Sequence, residues 1–575
     1  MAPSWLATTV APCAAEFLGA LLLAFAVGLW ALFHRAAVWI YIAIAGLYTI
    51  LVYTLEATSG AHFNPAISVC TFLSGKARMT TVLGYWSLQF SAGLLACWCC
   101  GIARHVEAEE KDKLFYPSNP VYAALSETFY TCLLCFVALN VMSVSKGGQG
   151  RQICGVAIGS AIAAGGCASC SISAAIFNPA VSIGLDVGTG TAGILHGLFC
   201  TCCDFLGAAM ATVLFRFVRP AEFDDSSDAD GGLLARCVSE FVGTFFVAFT
   251  VILCLVADSA RTAWATIACL MSVTYALVGV SGSHFNPAVS LGMLVSGRTK
   301  LSFLDGMAYC ASQFCAAALA GIVVGACGQV GGSLDEQPVP GVIMGVWQGS
   351  GTSMPWSAYV AAFVFTGVLV LVVLTLATAR QPSLAQLFQG IAAASCLAAA
   401  SVTMGTAFGA ALNPAAALGL LVMAYLYHPV SVHLHKMLFW ILIEFLGGLA
   451  AALLFRCLGP SDYDISFLPL AASEDANAHV VRSPLSGGKT SSLITMMQYL
   501  GMHAHDNSGD REVNVSQESG GASALLRLFK KASTHAFSDA ARDRRINSGE
   551  FLGGFGGLEH SKSEKQGRSC RSCFD

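Results

Sequence analysis

Hydrophobic residues along this chain gather in runs of about twenty, not in the alternation of a half-buried strand or the one-sided stripe of a soluble helix. Runs of spanning length fall near 12–33, 37–57, 80–103, 120–145, 151–171 and 192–217, and again near 233–257, 262–280, 301–327, 356–379, 384–405 and 434–458. Each predicts a transmembrane helix, 12 in total. Four further apolar stretches, near 64–74, 178–188, 286–296 and 413–423, are about half as long and too short to cross. The expected fold is therefore an all-α polytopic membrane protein.

Each half-length stretch opens on the same tripeptide: Asn64–Pro65–Ala66, Asn178–Pro179–Ala180, Asn286–Pro287–Ala288 and Asn413–Pro414–Ala415. Asn offers a capping side chain, and Pro at the first helical position gives up only an N–H that has no partner there. The tripeptide thus starts a short helix from irregular backbone. A membrane tolerates such a break only where it is buried in protein or lines a cavity.

The copies belong to a long repeat. Glu16 recurs as Glu240, Asn64 as Asn286 and Gln89 as Gln313, at offsets of 222 to 224; Asn178 recurs as Asn413 at 235, after a longer connection around Gly328–Pro355. Each unit is expected to hold six spans and two half-helices. It also repeats within itself, with one half-helix per three spans. Three spans invert the next three, so the half-helices enter from opposite faces and can meet at the midplane. Interrupted segments in corresponding halves mark a transport site, which points to a channel or transporter and not an enzyme.

Composition agrees: 55% hydrophobic, 11% charged, mean hydropathy +0.67. Of the 30 Lys and Arg, 17 lie up to Gly459 and 13 in the remaining tail. The expected divisions are a first unit at 1–218, an acidic cytoplasmic linker at 219–232, a second unit at 233–459 and a disordered cytoplasmic tail at 460–575. With both termini cytoplasmic, 11 basic residues of the first 459 fall on the inner side and 6 on the outer. The amino-terminal run lacks a basic leader and carries Glu16, whose surroundings recur at Glu240, so it reads as structure and not as a signal. Most of the 23 Cys lie in apolar runs and read as small hydrophobes. Cys167 and Cys170 have metal-ligand spacing without a second pair, and packing is the preferred reading. No metal, cofactor or nucleic acid is called for. In the tail, Leu525–Lys531 is a short basic amphipathic stretch, either on lipid or solvated, and Cys570 and Cys573 are candidates for acylation.

The four Asn-Pro-Ala copies, the Glu-Phe-Leu-Gly opening at Glu16–Gly19, the phrase Ser59–Ala66 and the Gln at 89 and 313 together resemble the aquaporin, or major intrinsic protein, family, twice over between Pro12 and Pro460. The resemblance implies a solute-filled pore in each unit and tetrameric assembly, so two chains would form a pseudo-tetramer of four units in the bilayer. It implies that Glu16, Glu127, Glu240, His62 and His284 brace the loops carrying the half-helices. Ala362 stands where a counterpart of Glu127 belongs, so the second unit's outer loop is expected to be held less firmly. The outer filter, carried over by counting from the Asn residues, is Ile44, Gly166, Ala175 and Val181 in the first unit and Thr266, Ser401, Ala410 and Ala416 in the second. Val181 and Ala416 replace the usual Arg of the family.

Independently of the resemblance, two half-helix amino ends at the midplane present positive dipole ends that repel cations, while Asn amides donate to water or hydroxyl oxygens. The expected function is a passive channel for water and small neutral solutes of the glycerol, urea or ammonia class. One alternative is a poorly conducting or non-conducting structural membrane protein with the same fold. A third reading is a proton- or cation-coupled carrier using Asp204 and Glu444, equivalent acids within the sixth spans. The identity of the membrane is left open.

Overall fold

The half-helices are the fold's shortest elements, and their starts follow from the sequence at atomic detail. In the computed structural model, Asn64 and Asn286 are extended N-caps (φ −150° and −154°) whose side chains accept from the Ala66 and Ala288 amides, with Pro at the first helical turn. The structure describes residues 5–33, 39–107, 120–144, 151–170, 172–173, 175–189, 194–224, 232–256, 261–298, 301–330, 356–378, 382–404, 412–427 and 434–458. The tail expected at 460–575, with Leu525–Lys531, Cys570 and Cys573, lies outside them, as do Ala410 and linker residues 225–231.

Sixteen α-helices are found among the described residues. The first eight are α1 (Ala11–Phe33), α2 (Ile40–Ser59), α3 (Pro65–Leu73), α4 (Met79–Glu107), α5 (Pro120–Met142), α6 (Cys154–Ser169), α7 (Pro179–Thr189) and α8 (Ile194–Val218). The same order returns as α9 (Gly232–Val256), α10 (Thr262–Ser281), α11 (Pro287–Ser296), α12 (Phe303–Val330), α13 (Trp356–Ala377), α14 (Pro382–Met404), α15 (Pro414–Tyr427) and α16 (Leu434–Leu458). Eleven are long and apolar enough to cross a membrane. The twelfth expected span, α6, has 16 residues, about 24 Å at 1.5 Å per residue. Nearly all of α6 is buried between its neighbours.

The two sets meet along α5 and α6 of the first and α9 and α10 of the second. Phe129 lies 5.3 Å from Phe245 and 5.1 Å from Phe249 between ring centroids, and the Tyr130 hydroxyl donates to Thr250 Oγ1 at 3.1 Å. At one end of this seam the buried Arg219 donates from Nε to Asn140 Oδ1 and from Nη2 to the Ala276 carbonyl of α10. Its burial pulls the guanidinium down to about 10, opposed by Glu222. The seam shows in burial: 89% of the α9 span is buried against 39% of its counterpart α1, and 72% of α5 against 33% of α13.

Helices approach closely where a side chain is missing. On α4, Gly93 lies against α7, and a Cβ there would overlap the Ala180 carbonyl. Gly19 faces the Phe63 ring and Gly243 the Phe285 ring in the same way. The Gly three residues after each of Glu16 and Glu240 therefore seats the aromatic ring that precedes the half-helix. Gly93→Val is expected to destabilise the protein by about 1–3 kcal/mol, the usual cost of overpacking. The check is the midpoint of thermal unfolding in detergent, and an unchanged midpoint would contradict the close approach.

Candidate functional site

In each unit the two half-helix loops are tied to each other by their asparagines. Asn64 Nδ2 donates to the Phe177 carbonyl at 2.7 Å and Asn178 Nδ2 donates to the Phe63 carbonyl at 3.0 Å. The second unit repeats the exchange, Asn286 to Leu412 O at 2.9 Å and Asn413 to Phe285 O at 2.8 Å. Every Asn Oδ1 accepts from the amide two residues on: Ala66, Ala180, Ala288 or Ala415. An amide nitrogen carries two hydrogens. One is committed to the opposite loop, and the other is left to donate to a passing molecule.

The loops that deliver these asparagines leave helical geometry inside the protein, so their amides need partners. Glu16 Oε1 accepts from Ser59 Oγ at 2.7 Å and His62 N at 2.9 Å; Oε2 accepts from Phe63 N at 2.7 Å and Gln89 Nε2 at 2.8 Å. Glu240 takes the same four bonds from Ser281 Oγ, His284 N, Phe285 N and Gln313 Nε2, at 2.5 to 3.0 Å. Both carboxylates are fully buried. His62 and His284 set Nδ1 3.0 and 3.1 Å from the hydroxyls of Ser68 and Ser290, which also accept from Gln89 and Gln313. The loops need this holding: Ala61, Phe63, Ala175, Phe177, Ser283 and Phe285 all sit at φ of 49–54°, a conformation costing roughly 1–3 kcal/mol at a non-glycine residue. Ser59 and Ser281 are functional residues that reasoning from the sequence missed, although both stood in the repeated phrase.

The loops that precede α7 and α15 differ. In the first unit Glu127 accepts from Ser173 Oγ at 2.8 Å and Phe177 N at 3.1 Å. In the second, Ala362 supplies no carboxylate, and Glu444 of α16 accepts from Trp440 Nε1, one turn earlier on the same helix, at 3.0 Å. The first unit's equivalent acid, Asp204, accepts from Thr131 Oγ1 at 2.6 Å.

Most of the filter positions are buried. Ile44, Ala175 and Val181 are buried, and Gly166 lies against the Tyr41 ring. Thr266 Oγ1 donates to Thr262 O, Ala416 is buried, and Ser401 Oγ is buried without a hydrogen-bond partner. Beside Asn286 and Asn413 lies a cavity of about 30 Å³ for water-sized molecules, room for roughly two waters at about 10–15 Å³ each. Its polar lining is Thr274, Ser283, His284, Asn286, Gln389 and Asn413. Among the described residues no group of three or more His, Cys, Asp or Glu could hold a metal. Neither Cys167 nor Cys170 is part of a disulfide.

Glu16→Ala removes the acceptor of four buried donors and is expected to cost several kcal/mol, at about 1–3 kcal/mol for each group left unpaired. Glu16→Gln, which keeps one acceptor oxygen, should fall between. Thermal unfolding of the three proteins in detergent reads the order, and equal midpoints would contradict the bracing role.

Comparison with known proteins agrees with this geometry. The profile of the major intrinsic protein family matches residues 6–215, 117–261 and 230–455. The chain is 30% identical to Aquaporin NIP3-1 of Arabidopsis thaliana over 142 residues, 24% of this chain and 44% of that protein. It is 28% identical to Aquaporin AqpM of Methanothermobacter thermautotrophicus over 217 residues, 32% of this chain and 82% of that protein. It is 30% identical to the probable aquaporin TIP2-1 of Oryza sativa subsp. japonica over 225 residues, 36% of this chain and 89% of that protein. For NIP3-1 and for Aquaporin NIP1-4 of Oryza sativa subsp. japonica the match spans 44% and 65% of the relative's length. With family matches that together run through most of its length, the chain belongs to the major intrinsic protein family.

Proposed function

We propose that this protein is a passive transmembrane channel for water and small neutral solutes of the glycerol, urea or ammonia class, and not an enzyme. The observation that carries the reading is the crossed pair of asparagines in each unit, which joins two half-helix amino ends and leaves one N–H of each amide to donate. The dipole ends disfavour cations, and a neutral hydroxyl or water oxygen accepts from the amides in passing. The aquaporin names of its relatives support the same reading. The pore-lining units are residues 1–218 and 233–459, joined by an inner linker at 219–232 and followed by a cytoplasmic tail.

At the outer filter, small uncharged residues replace an arginine, which widens the passage and weakens cation exclusion. One charge at about 4 Å with an effective dielectric near 20 contributes about 4 kcal/mol, roughly a thousandfold in a barrier-limited rate. Stopped-flow measurements on proteoliposomes holding the full chain are expected to show water and glycerol permeability well above empty liposomes. Ala416→Arg should lower glycerol permeability more than water permeability and reduce any cation leak. Wild-type permeability equal to that of empty liposomes would refute the channel reading.

The assembly follows from the seam. The first unit offers α5 and α6 to α9 and α10 of the second, which leaves α1, α2, α13 and α14 without an equivalent neighbour. Leu22, Phe25 and Ile50 on one side and Val360, Val364 and Phe388 on the other are exposed. A second copy related by a two-fold axis covers both faces and closes a ring of four units. Mass photometry of the protein in lipid nanodiscs should therefore give two chains per particle; a single chain would contradict the ring.

A further inference from the structure

The two units share one scaffold but differ in what fills the channel. The second unit's cavity is lined by Leu270, Thr274, Ser283 and Gln389 beside its two asparagines. At the repeat offsets of 222 and 235, the first unit carries Tyr48, Val52, Ala61 and Cys154 at those positions. Three polar groups have become two hydrocarbons and a thiol, and a leucine has become a tyrosine. All four first-unit residues are buried.

Tyr48 is the largest of these changes. It is 2% exposed, its hydroxyl donates to the His62 carbonyl at 2.6 Å, and its ring meets Phe63 edge to face at 5.9 Å. Phe63 is the residue before Asn64, so the ring stands at the level of the paired asparagines. The hydroxyl takes a loop carbonyl that a file of water would otherwise use as an acceptor. Two turns away on α2, Tyr41 rests on Gly166, where a Cβ would overlap its ring. The second unit has Ala263 and Leu270 at these two positions and the unpartnered Ser401 hydroxyl in place of Gly166.

A permeating molecule sheds water only where the wall offers replacement hydrogen bonds, and an apolar constriction stays dry. We propose that the two units are not equivalent: the second conducts, and the first is closed by Tyr48 standing beside its asparagines. The inference rests on the channel reading above and adds which unit carries the flux. The first unit then contributes the rigid half of the seam.

The test is glycerol and water permeability of proteoliposomes holding equal amounts of the full-length wild type, Leu270→Tyr, Tyr48→Leu and the double variant. Leu270→Tyr is expected to lower flux to about a tenth or less, and Tyr48→Leu to raise it up to about twofold, as a second parallel pore would. The double variant closes one unit and opens the other, so flux should return towards wild type, which a merely misfolded Leu270→Tyr protein would not allow. Half or more of the flux surviving in Leu270→Tyr, or a Tyr48→Leu protein no faster than wild type, overturns the proposal. If all four proteins match empty liposomes, the channel reading itself has failed, and the assignment of a conducting unit with it.

Discussion

A chain that stops being helical halfway through a membrane must find a partner for every amide it exposes, because lipid offers none. The rest of this structure depends on how that demand is met. Glu16 and Glu240 each gather two loop amides, a serine hydroxyl and a glutamine amide onto one buried carboxylate. The glycine one turn further on seats the aromatic ring of the same loop. Only with the loops so held can the asparagines reach across to each other's carbonyls. The half-helix ends then sit where their dipoles and spare N–H groups face a common point. Strained backbone at six non-glycine positions is the cost of that arrangement.

The two units diverge at one brace. The first holds the loop before α7 from α5 through Glu127, and the second has Ala362 at that position. Burial diverges for a different reason. Helices α5, α6, α9 and α10 are packed at the seam between the units, so sequence-equivalent helices are buried within the chain in one unit and exposed on its surface in the other.

Much of this was legible in the sequence because it is written locally. The starts of α3, α7, α11 and α15 follow from Asn-Pro, and the offsets between Glu16 and Glu240 and between Gln89 and Gln313 give the two-unit architecture. The long apolar runs give the spans, except that α6 is shorter than its run. What stayed hidden is written between distant positions. The crossed asparagine bonds join residues more than a hundred apart. Nothing in the sequence ties Ser59 and Ser281 to Glu16 and Glu240. Tyr48 reads as one more aromatic in an apolar run, and its place against Phe63 and the His62 carbonyl appears only in the fold.

The central claim is that one set of buried braces holds two pores of unlike content. An electron cryomicroscopy map of the protein in lipid nanodiscs, at a resolution that shows ordered water, tests it most directly. The account predicts a continuous file of water density past Asn286 and Asn413, and a file broken at the Tyr48 ring beside Asn64 and Asn178. Unbroken water density through both units, or a Tyr48 side chain turned away from the His62 carbonyl, would contradict it.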